Sequence, residues 1–107
     1  MYQRFFKIRL ELTMGRNIPD NGRVTDPMMD DFIRREVMPL MEYGTLIDGE
    51  GFWKGEREDC KILYVELPDS EVDEMLLNFN CIAAAYMIQF RLDAVMISQV
   101  QTHMSLN

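Results

Sequence analysis

Hydrophobic and polar positions along the chain change their period repeatedly, and each change marks a predicted element. From Phe6 to Met14 the apolar residues alternate with polar ones, which predicts a β-strand with one face on a core. Gly15 ends this run. Asp20-Asn21-Gly22 predicts a turn in the loop that follows, because Asn and Gly tolerate positive φ.

Two segments carry apolar residues at helical spacing. The first helix is predicted over residues 27–38, with Asp26 as its N-cap, Pro27 in its first turn and Pro39 at its end. The second helix is predicted over residues 70–90, where Ser70 and Asp73 have the spacing of a capping box.

Three more segments are predicted to be extended, over residues 45–53, 60–67 and 94–102. Gly49 and Gly51 interrupt the first of these, which predicts a bulge, a bend or a close backbone approach. The second is apolar on both faces, which predicts a central strand that is covered on both sides. Residues 101–107 are predicted to form a polar C-terminal tail.

The resulting order, β-α-β-β-α-β, predicts a ferredoxin-like α+β fold. We expect a four-stranded antiparallel sheet in which the first and third strands are central and both helices cover one face. Many unrelated functions occur on this fold, so the function has to be argued from particular sites.

Length and composition narrow the class of protein. A chain of 107 residues, 48% of them hydrophobic, predicts one domain with one core. Its 18 acidic and 11 basic residues give a net charge of −7, which opposes direct binding of nucleic acid and permits binding of a basic protein. The simpler explanation is that this charge keeps a small domain soluble.

The expected location is the cytoplasm, without membrane association. No apolar run reaches the about 20 residues that a membrane helix needs, and the N-terminal residues lack the pattern of a secretory signal. Cys60 and Cys81 are interpreted as buried thiols in a reducing compartment.

The sequence shows no catalytic set, metal site or cofactor motif. Cys60 and Cys81 lack a neighbouring base, and the lone His103 falls in the predicted tail. Phosphate-binding glycine loops and nucleophile-elbow motifs are absent. Whether the protein is an enzyme stays open at this point.

Five residues are candidates for a ligand site on the open face of the sheet: Arg9, Arg16, Asp48, Trp53 and Tyr64. An arginine at the end of a strand suits carboxylates and phosphates, although a loop salt bridge of Arg16 with Asp48 or Asp20 is the simpler and favoured explanation. Asp48 and Glu50 share one face of a strand, an arrangement that general acid–base chemistry can use. The alternative is a bent strand with its polar face in water and Trp53 packed under a helix.

Short motifs along most of the chain, from about Phe6 to Val95, resemble a small bacterial and phage-related family known only as a domain of unknown function. They comprise Met14-Gly15-Arg16, Gly22-Arg23-Val24-Thr25, Asp31-Phe32, Val37-Met38-Pro39, the strand Leu46 to Trp53, Glu58 and Lys61-Ile62-Leu63. The resemblance implies a ferredoxin-like or dimeric α+β-barrel fold and no established activity. Around Phe32 the chain departs from the family, which has a Trp in this helix.

The second predicted helix is apolar on more than one face, so a single sheet cannot bury all of it. The residues beyond the face that is directed at the sheet are Leu77, Cys81, Ala84, Ala85 and Ile88. A large exposed apolar patch is unusual for a monomer, and a two-fold interface is the commonest way to cover one. We therefore expect a homodimer that buries this face of the helix or the apolar part of the open sheet.

Two functional hypotheses follow. The first is a small acidic interaction protein, of which a phage-encoded inhibitor of a host defence or nucleic-acid-processing protein, for example an anti-CRISPR, is one form. The second is a small-molecule-binding protein or enzyme of the dimeric α+β-barrel type, with its pocket on the open face of the sheet.

Overall fold

A computed structural model describes residues 3–20 and 22–106, with side chains over residues 8–20 and 22–102. The chain forms β1 (Gln3–Gly15), β2 (Asn17–Ile18), β3 (Gly22–Arg23), α1 (Asp26–Phe32), β4 (Thr45–Trp53), β5 (Glu56–Pro68), α2 (Val72–Phe90) and β6 (Met96–Leu106). The main sheet has the strand order β4-β5-β1-β6, and every pairing in it is antiparallel. The predicted α+β fold, with the first and third main strands central, is confirmed.

The core lies between the sheet and the two helices. Alternate residues of β1 are fully buried. The pairing of β1 with β5 sets Leu10 opposite Val65 and Leu12 opposite Leu63 on the same face of the sheet. Aromatic and aliphatic side chains of the helices cover them: Phe32, Phe79, Ile82, Tyr86 and Phe90. Burying one such side chain contributes about 1.5–3 kcal/mol, so this face of the sheet holds the domain together.

The opposite face of the sheet stays open, and the expectation that β5 is covered on both sides is wrong. Ile62 and Tyr64 on this face are half-buried, and both helices lie on the other face. Their partial burial comes from the flanking strands, since β5 lies between β4 and β1. Apolar residues on both faces of β5 therefore indicated a central strand, but they did not indicate a layer of structure over the open face of the sheet.

The loop after β1 forms a small second sheet that the sequence did not predict. Asn17 pairs with Arg23 and Ile18 with Gly22, and Asp20 has a φ of 68°. The turn is where Asp20-Asn21-Gly22 placed it, although Asn21 itself lies outside the described residues.

α1 is capped by Thr25 instead of Asp26. The Thr25 hydroxyl oxygen accepts a bond from the Met28 N–H at 3.3 Å, and Asp26 lies in the first turn beside Pro27. The helical path continues as a π-helix over Ile33–Val37 and a 3₁₀ turn over Met38–Leu40, where Pro39 has no N–H to donate.

α2 begins two residues later than predicted, and the Ser70–Asp73 capping box does not form. A 3₁₀ turn over Asp69–Glu71 precedes the helix, and its N-cap residue makes no side-chain capping bond. The helix ends at Arg91, which takes a left-handed conformation. Within the described ranges, the structure contains no helix with the length and apolar character needed to cross a membrane.

Gly49 and Gly51 do not interrupt β4. The β4–β5 register is regular from Thr45 opposite Tyr64 to Trp53 opposite Glu56, so the predicted bulge is wrong. Gly49 instead accommodates close side chains, because a Cβ atom there would lie 3.2 Å from both the Cys60 sulfur and the Ile62 Cδ1 atom.

The predicted polar tail is a strand. β6 continues through Leu106, and its backbone pairs with β1 up to Gln3 opposite Leu106. Polar side chains do not prevent this pairing, because β6 is an edge strand with one face open to water. The His103 side chain and Asn107 lie outside the described part of the chain.

Candidate functional site

Arg16 ties the end of β1 to the loop that follows. Its side chain is 5% exposed, with Nε donating to the Val24 carbonyl at 2.9 Å and Nη2 donating to the Asp26 carboxylate at 2.6 Å. Its backbone N–H donates to the Asp59 carbonyl at 3.0 Å, and its carbonyl accepts from Val24 at 2.8 Å. Arg16 thus holds the loop, α1 and the β4–β5 hairpin together.

This geometry favours the salt-bridge interpretation of Arg16 but changes the partner. Asp26 forms the pair, whereas Asp48 and Asp20, the expected partners, pair with Lys61 at 2.7 Å and with Arg91 at 3.9 Å. Because the Asp26 side chain is largely exposed, an anion that bound Arg16 would have to displace this carboxylate. The ligand role of Arg16 stays a prediction.

Tyr86 and Glu58 complete the surroundings of Gly15. The Tyr86 hydroxyl donates to the Gly15 carbonyl at 2.6 Å, and Glu58 accepts a bond from the Asn17 N–H at 2.9 Å. Burial raises the pKa of Tyr86 to about 12; the charge of Glu58 adds to this shift and that of Arg16 opposes it. No local sequence pattern indicates this bond, although a buried tyrosine hydroxyl generally needs a partner.

Asp48 lies on the helix side of the sheet, opposite Lys61. The Lys61 ammonium donates to its carboxylate at 2.7 Å; this bond, then the charge of Lys61 and that of Arg16, lower the pKa of Asp48. Glu50 shares the face, as predicted, but binds Arg57 at 2.6 Å. Each carboxylate therefore has its own cation, and the two do not form an acid–base pair.

Arg9 and Tyr64 meet on the open face of the sheet. The Arg9 guanidinium carbon lies 4.2 Å from the Tyr64 ring centroid, and its Nη2 donates to Glu66 at 2.6 Å. The bond from Arg9 to Glu66 is the main reason why the pKa of Arg9 is raised. A depression of about 460 Å³ lies beside this cluster, lined by Arg9, Tyr43, Gly44, Thr45, Tyr64, Val65 and Glu66.

Trp53 stands at the tip of a projecting hairpin. The pairing of β1 with β5 ends at Gly15 opposite Cys60, so residues 50–59 form a ribbon of only two strands, which we call the outer hairpin. Phe52 and Trp53 are 82% and 74% exposed there, and the expectation that Trp53 packs under a helix is wrong. The turn uses positive φ at Lys54 and Gly55, and the Lys54 ammonium lies 5.5 Å from the Trp53 ring centroid.

The five predicted ligand residues therefore fall in three places. Arg9 and Tyr64 lie on the open face of the sheet. Arg16 follows the end of β1, and Asp48 lies near it on the face that the helices cover. Trp53 lies on the outer hairpin. Glu56, which lies opposite Trp53, precedes Tyr64 by eight positions of β5, about 26 Å along the strand. One small ligand cannot contact all five residues.

The predicted interface residues form an exposed stripe on α2. Leu77 and Ile88 are 66% and 79% exposed, and Cys81 and Ala84 between them are also exposed. Ala85 differs, because it is half-buried and packs against the core. Cys81 is thus not the buried thiol that the sequence predicted.

Cys60 is buried, as predicted, and burial raises the pKa of its thiol; the charge of Glu58 adds to this shift. A raised pKa opposes formation of the thiolate that a cysteine nucleophile needs. Over residues 3–20 and 22–106, the structure places no three His, Cys, Asp or Glu side chains where they could hold a metal ion together.

Comparison with known proteins gives a family and a structural neighbour. The family model described as "Protein of unknown function (DUF3574)" matches residues 9–106, whereas no curated protein matches the sequence. A phage SAM lyase in complex with S-methyl-5′-thioadenosine has a similar structure, with a TM-score of 0.61 over 94% of this chain and 89% of that one. The two sequences are 12% identical, so this likeness shows a shared fold.

Proposed function

This chain belongs to the DUF3574 family of proteins of unknown function, and we propose that it acts by binding another protein through its outer hairpin. The observation that carries the proposal is the exposure of Phe52 and Trp53 side by side at the tip of a regular ribbon. Trp and other aromatic residues are enriched at protein interfaces, where a few of them supply most of the binding free energy.

The outer hairpin is prepared for this role. Its tight turn has positive φ at Lys54 and Gly55. Arg57 Nε and Nη2 both donate to Glu50 Oε1, at 3.1 and 2.6 Å, and this contact joins its strands. A preformed hairpin loses less conformational entropy on binding than a disordered loop does. Phe52 and Trp53 are adjacent in a strand, so their side chains point to opposite faces of the ribbon. A partner that binds both side chains therefore has to contact the ribbon on both faces.

The charge of the chain indicates the chemistry of the partner. A net charge of −7 favours encounter with a basic protein surface and opposes association with an acidic one. In its finer form, the proposal is that the chain is a phage-encoded inhibitor of a host defence or nucleic-acid-processing protein, such as an anti-CRISPR. The shared fold with a phage protein and the acidic charge support this form.

The test is affinity capture followed by binding measurements with the purified partner. We expect Phe52→Ser/Trp53→Ser to lower the affinity by about 30-fold or more, the effect of losing a ~2 kcal/mol anchor. The control is Tyr43→Ser, which removes an exposed aromatic side chain elsewhere. Affinity should also fall as salt concentration rises. Equal affinities of the wild type and the double variant would contradict the role of the hairpin.

A second candidate function is the binding of a small molecule on the open face of the sheet. The depression beside Arg9 and Tyr64 favours it, because a guanidinium and an aromatic ring can hold a planar or anionic group. The neighbour with a similar fold holds S-methyl-5′-thioadenosine, which makes that compound the first probe. Titration followed by NMR should shift resonances around Tyr64, and Tyr64→Leu should abolish the shifts. Shifts confined to other regions would contradict this candidate.

A further inference from the structure

The exposed stripe of α2 has the spacing of a helix–helix seam. Leu77, Cys81, Ala84 and Ile88 follow one another at intervals of four, three and four residues, which is the spacing of a heptad seam. The same spacing reaches Glu74 within the helix at one end and Arg91, the left-handed residue directly after the helix, at the other. The seam therefore consists of four apolar or small residues flanked by an acidic and a basic one.

The order of these residues is self-complementary about the midpoint between Cys81 and Ala84. If a second copy of α2 lies antiparallel across a two-fold axis at that midpoint, Leu77 faces Ile88 of the second copy and Cys81 faces Ala84 of the second copy. The same axis sets Glu74 opposite Arg91 of the second copy, on both sides. We propose that this protein forms a two-fold homodimer by packing α2 antiparallel against α2 of a second copy.

Side-chain size supports close packing at this seam. The two small residues at its centre allow the helix axes to approach to about 8 Å, the lower end of the range for packed helices. Leu77 and Ile88 lie outside the small residues and are the largest exposed apolar side chains of α2. In the dimer, Leu77 of each copy covers Ile88 of the other copy. This contact removes the most exposed apolar surface of the helix from water.

The charges at the two ends of the seam favour a second copy of this chain as the partner, and they favour an antiparallel direction for its α2. Two chains of net charge −7 repel each other, so self-association needs local attraction. Glu74 and Arg91 provide it twice per dimer in the antiparallel arrangement, whereas parallel helices would bring like charges together. The competing partner of Arg91 is weak, because Asp20 lies 3.9 Å away and both side chains are exposed.

Cross-linking at Cys81 tests the position of the seam. The proposed packing brings Cys81 of the two copies close to the two-fold axis, offset by about 4.5 Å along the helices. A short bismaleimide should therefore join two wild-type chains into a dimer. Cys60 is buried, so Cys81→Ala should remove the cross-link while leaving the fold intact.

Charge exchange, followed by sedimentation equilibrium, tests the direction. Glu74→Arg and Arg91→Glu should each raise the dimer dissociation constant by about tenfold or more, and the double exchange should restore most of the affinity. The controls are Glu42→Arg and Arg34→Glu, at exposed positions away from the seam. They make the same changes in net charge and should have little effect on the dimer dissociation constant. Ile88→Glu should give monomers.

Three results would overturn the proposal. One is a wild type that sediments as a monomer at every concentration, which would leave the stripe for a different protein. Another is a dimer that the charge exchanges do not affect, as expected if the open face of the sheet forms the interface. The third is a double exchange that restores none of the affinity lost in the single exchanges, which would show that Glu74 and Arg91 of the two copies do not face each other.

Discussion

The hydroxyl group of Tyr86 offers a sharp test of the buried polar contacts behind β1. In Tyr86→Phe the ring can keep its contacts with Phe32 and Phe90, whose centroids lie 5.1 and 4.9 Å away, while the 2.6 Å bond to the Gly15 carbonyl is lost. A buried hydrogen bond contributes about 0.5–1.5 kcal/mol, and a carbonyl deprived of its partner adds to the cost. We expect the free energy of unfolding at neutral pH to fall by about 1–2 kcal/mol.

The same hydroxyl makes stability depend on pH in alkaline solution. Burial holds the pKa of Tyr86 at about 12 in the folded chain, compared with 10.0 as its ordinary value. Between these values the unfolded chain releases the proton and the folded chain keeps it, so the unfolded state binds fewer protons. Stability from this group is complete below about pH 10 and falls as pH rises toward about 12, by up to about 1.4 kcal/mol per pH unit.

Urea unfolding at a series of pH values measures both effects. The difference in stability between wild type and Tyr86→Phe should be constant up to about pH 10 and should shrink above it, because the variant has no hydroxyl to ionise. Tyr43→Phe, which removes the hydroxyl of an exposed tyrosine, is the matched control and should behave like the wild type. Parallel stability curves for wild type and Tyr86→Phe above pH 10 would refute the reasoning.

Two further predictions concern Gly15 and Lys61. Gly15→Ala should destabilise the fold by about 1–2 kcal/mol, because the new Cβ would lie 2.7 Å from the Glu58 carboxylate and would displace it from the Asn17 N–H. Thermal unfolding measures this loss, and Gly51→Ala is the control, since a Cβ at Gly51 meets nothing within 4 Å. Lys61→Met should return the pKa of Asp48 toward its ordinary value, as NMR titration of the Asp48 carboxyl carbon would show, whereas an unchanged titration would mean that Lys61 does not cause the shift.

Much of the fold could be predicted because its strongest signals are periodic. The alternation in β1 and the helical spacing in α2 each follow from one buried face, and the structure places both where the sequence did. Local signals were weaker. Thr25 displaced Asp26 as the N-cap, and Gly49 makes room for Cys60 and Ile62 within a regular ladder. A glycine in a strand indicates that space is needed, but the sequence does not say which neighbour fills it.

The candidate site was less predictable because it depends on contacts between distant residues. The bond between Tyr86 and Gly15 joins positions 71 residues apart, and no local pattern encodes it. Arg16 could be selected from its place after a strand, but whether it meets Asp20, Asp26 or Asp48 is decided by how the loop folds. Trp53 was predicted as a ligand residue from its strand motif, whereas its exposure follows from the end of β1, which leaves the outer hairpin without a third strand.

That missing third strand separates the tip of the outer hairpin from the cooperative unit formed by the core. The base of this ribbon is bound to the loop after β1, because the Asp59 carbonyl and the Glu58 carboxylate accept from the backbone N–H groups of Arg16 and Asn17. Beyond that base, the tip has the strand pairs Phe52 opposite Arg57 and Trp53 opposite Glu56. Isolated two-stranded ribbons are marginally stable, so this one can fray in small local openings while the helices and central strands stay closed. Substitutions at its tip therefore leave global folding nearly unchanged, and the surface that it presents can diversify without eroding the scaffold.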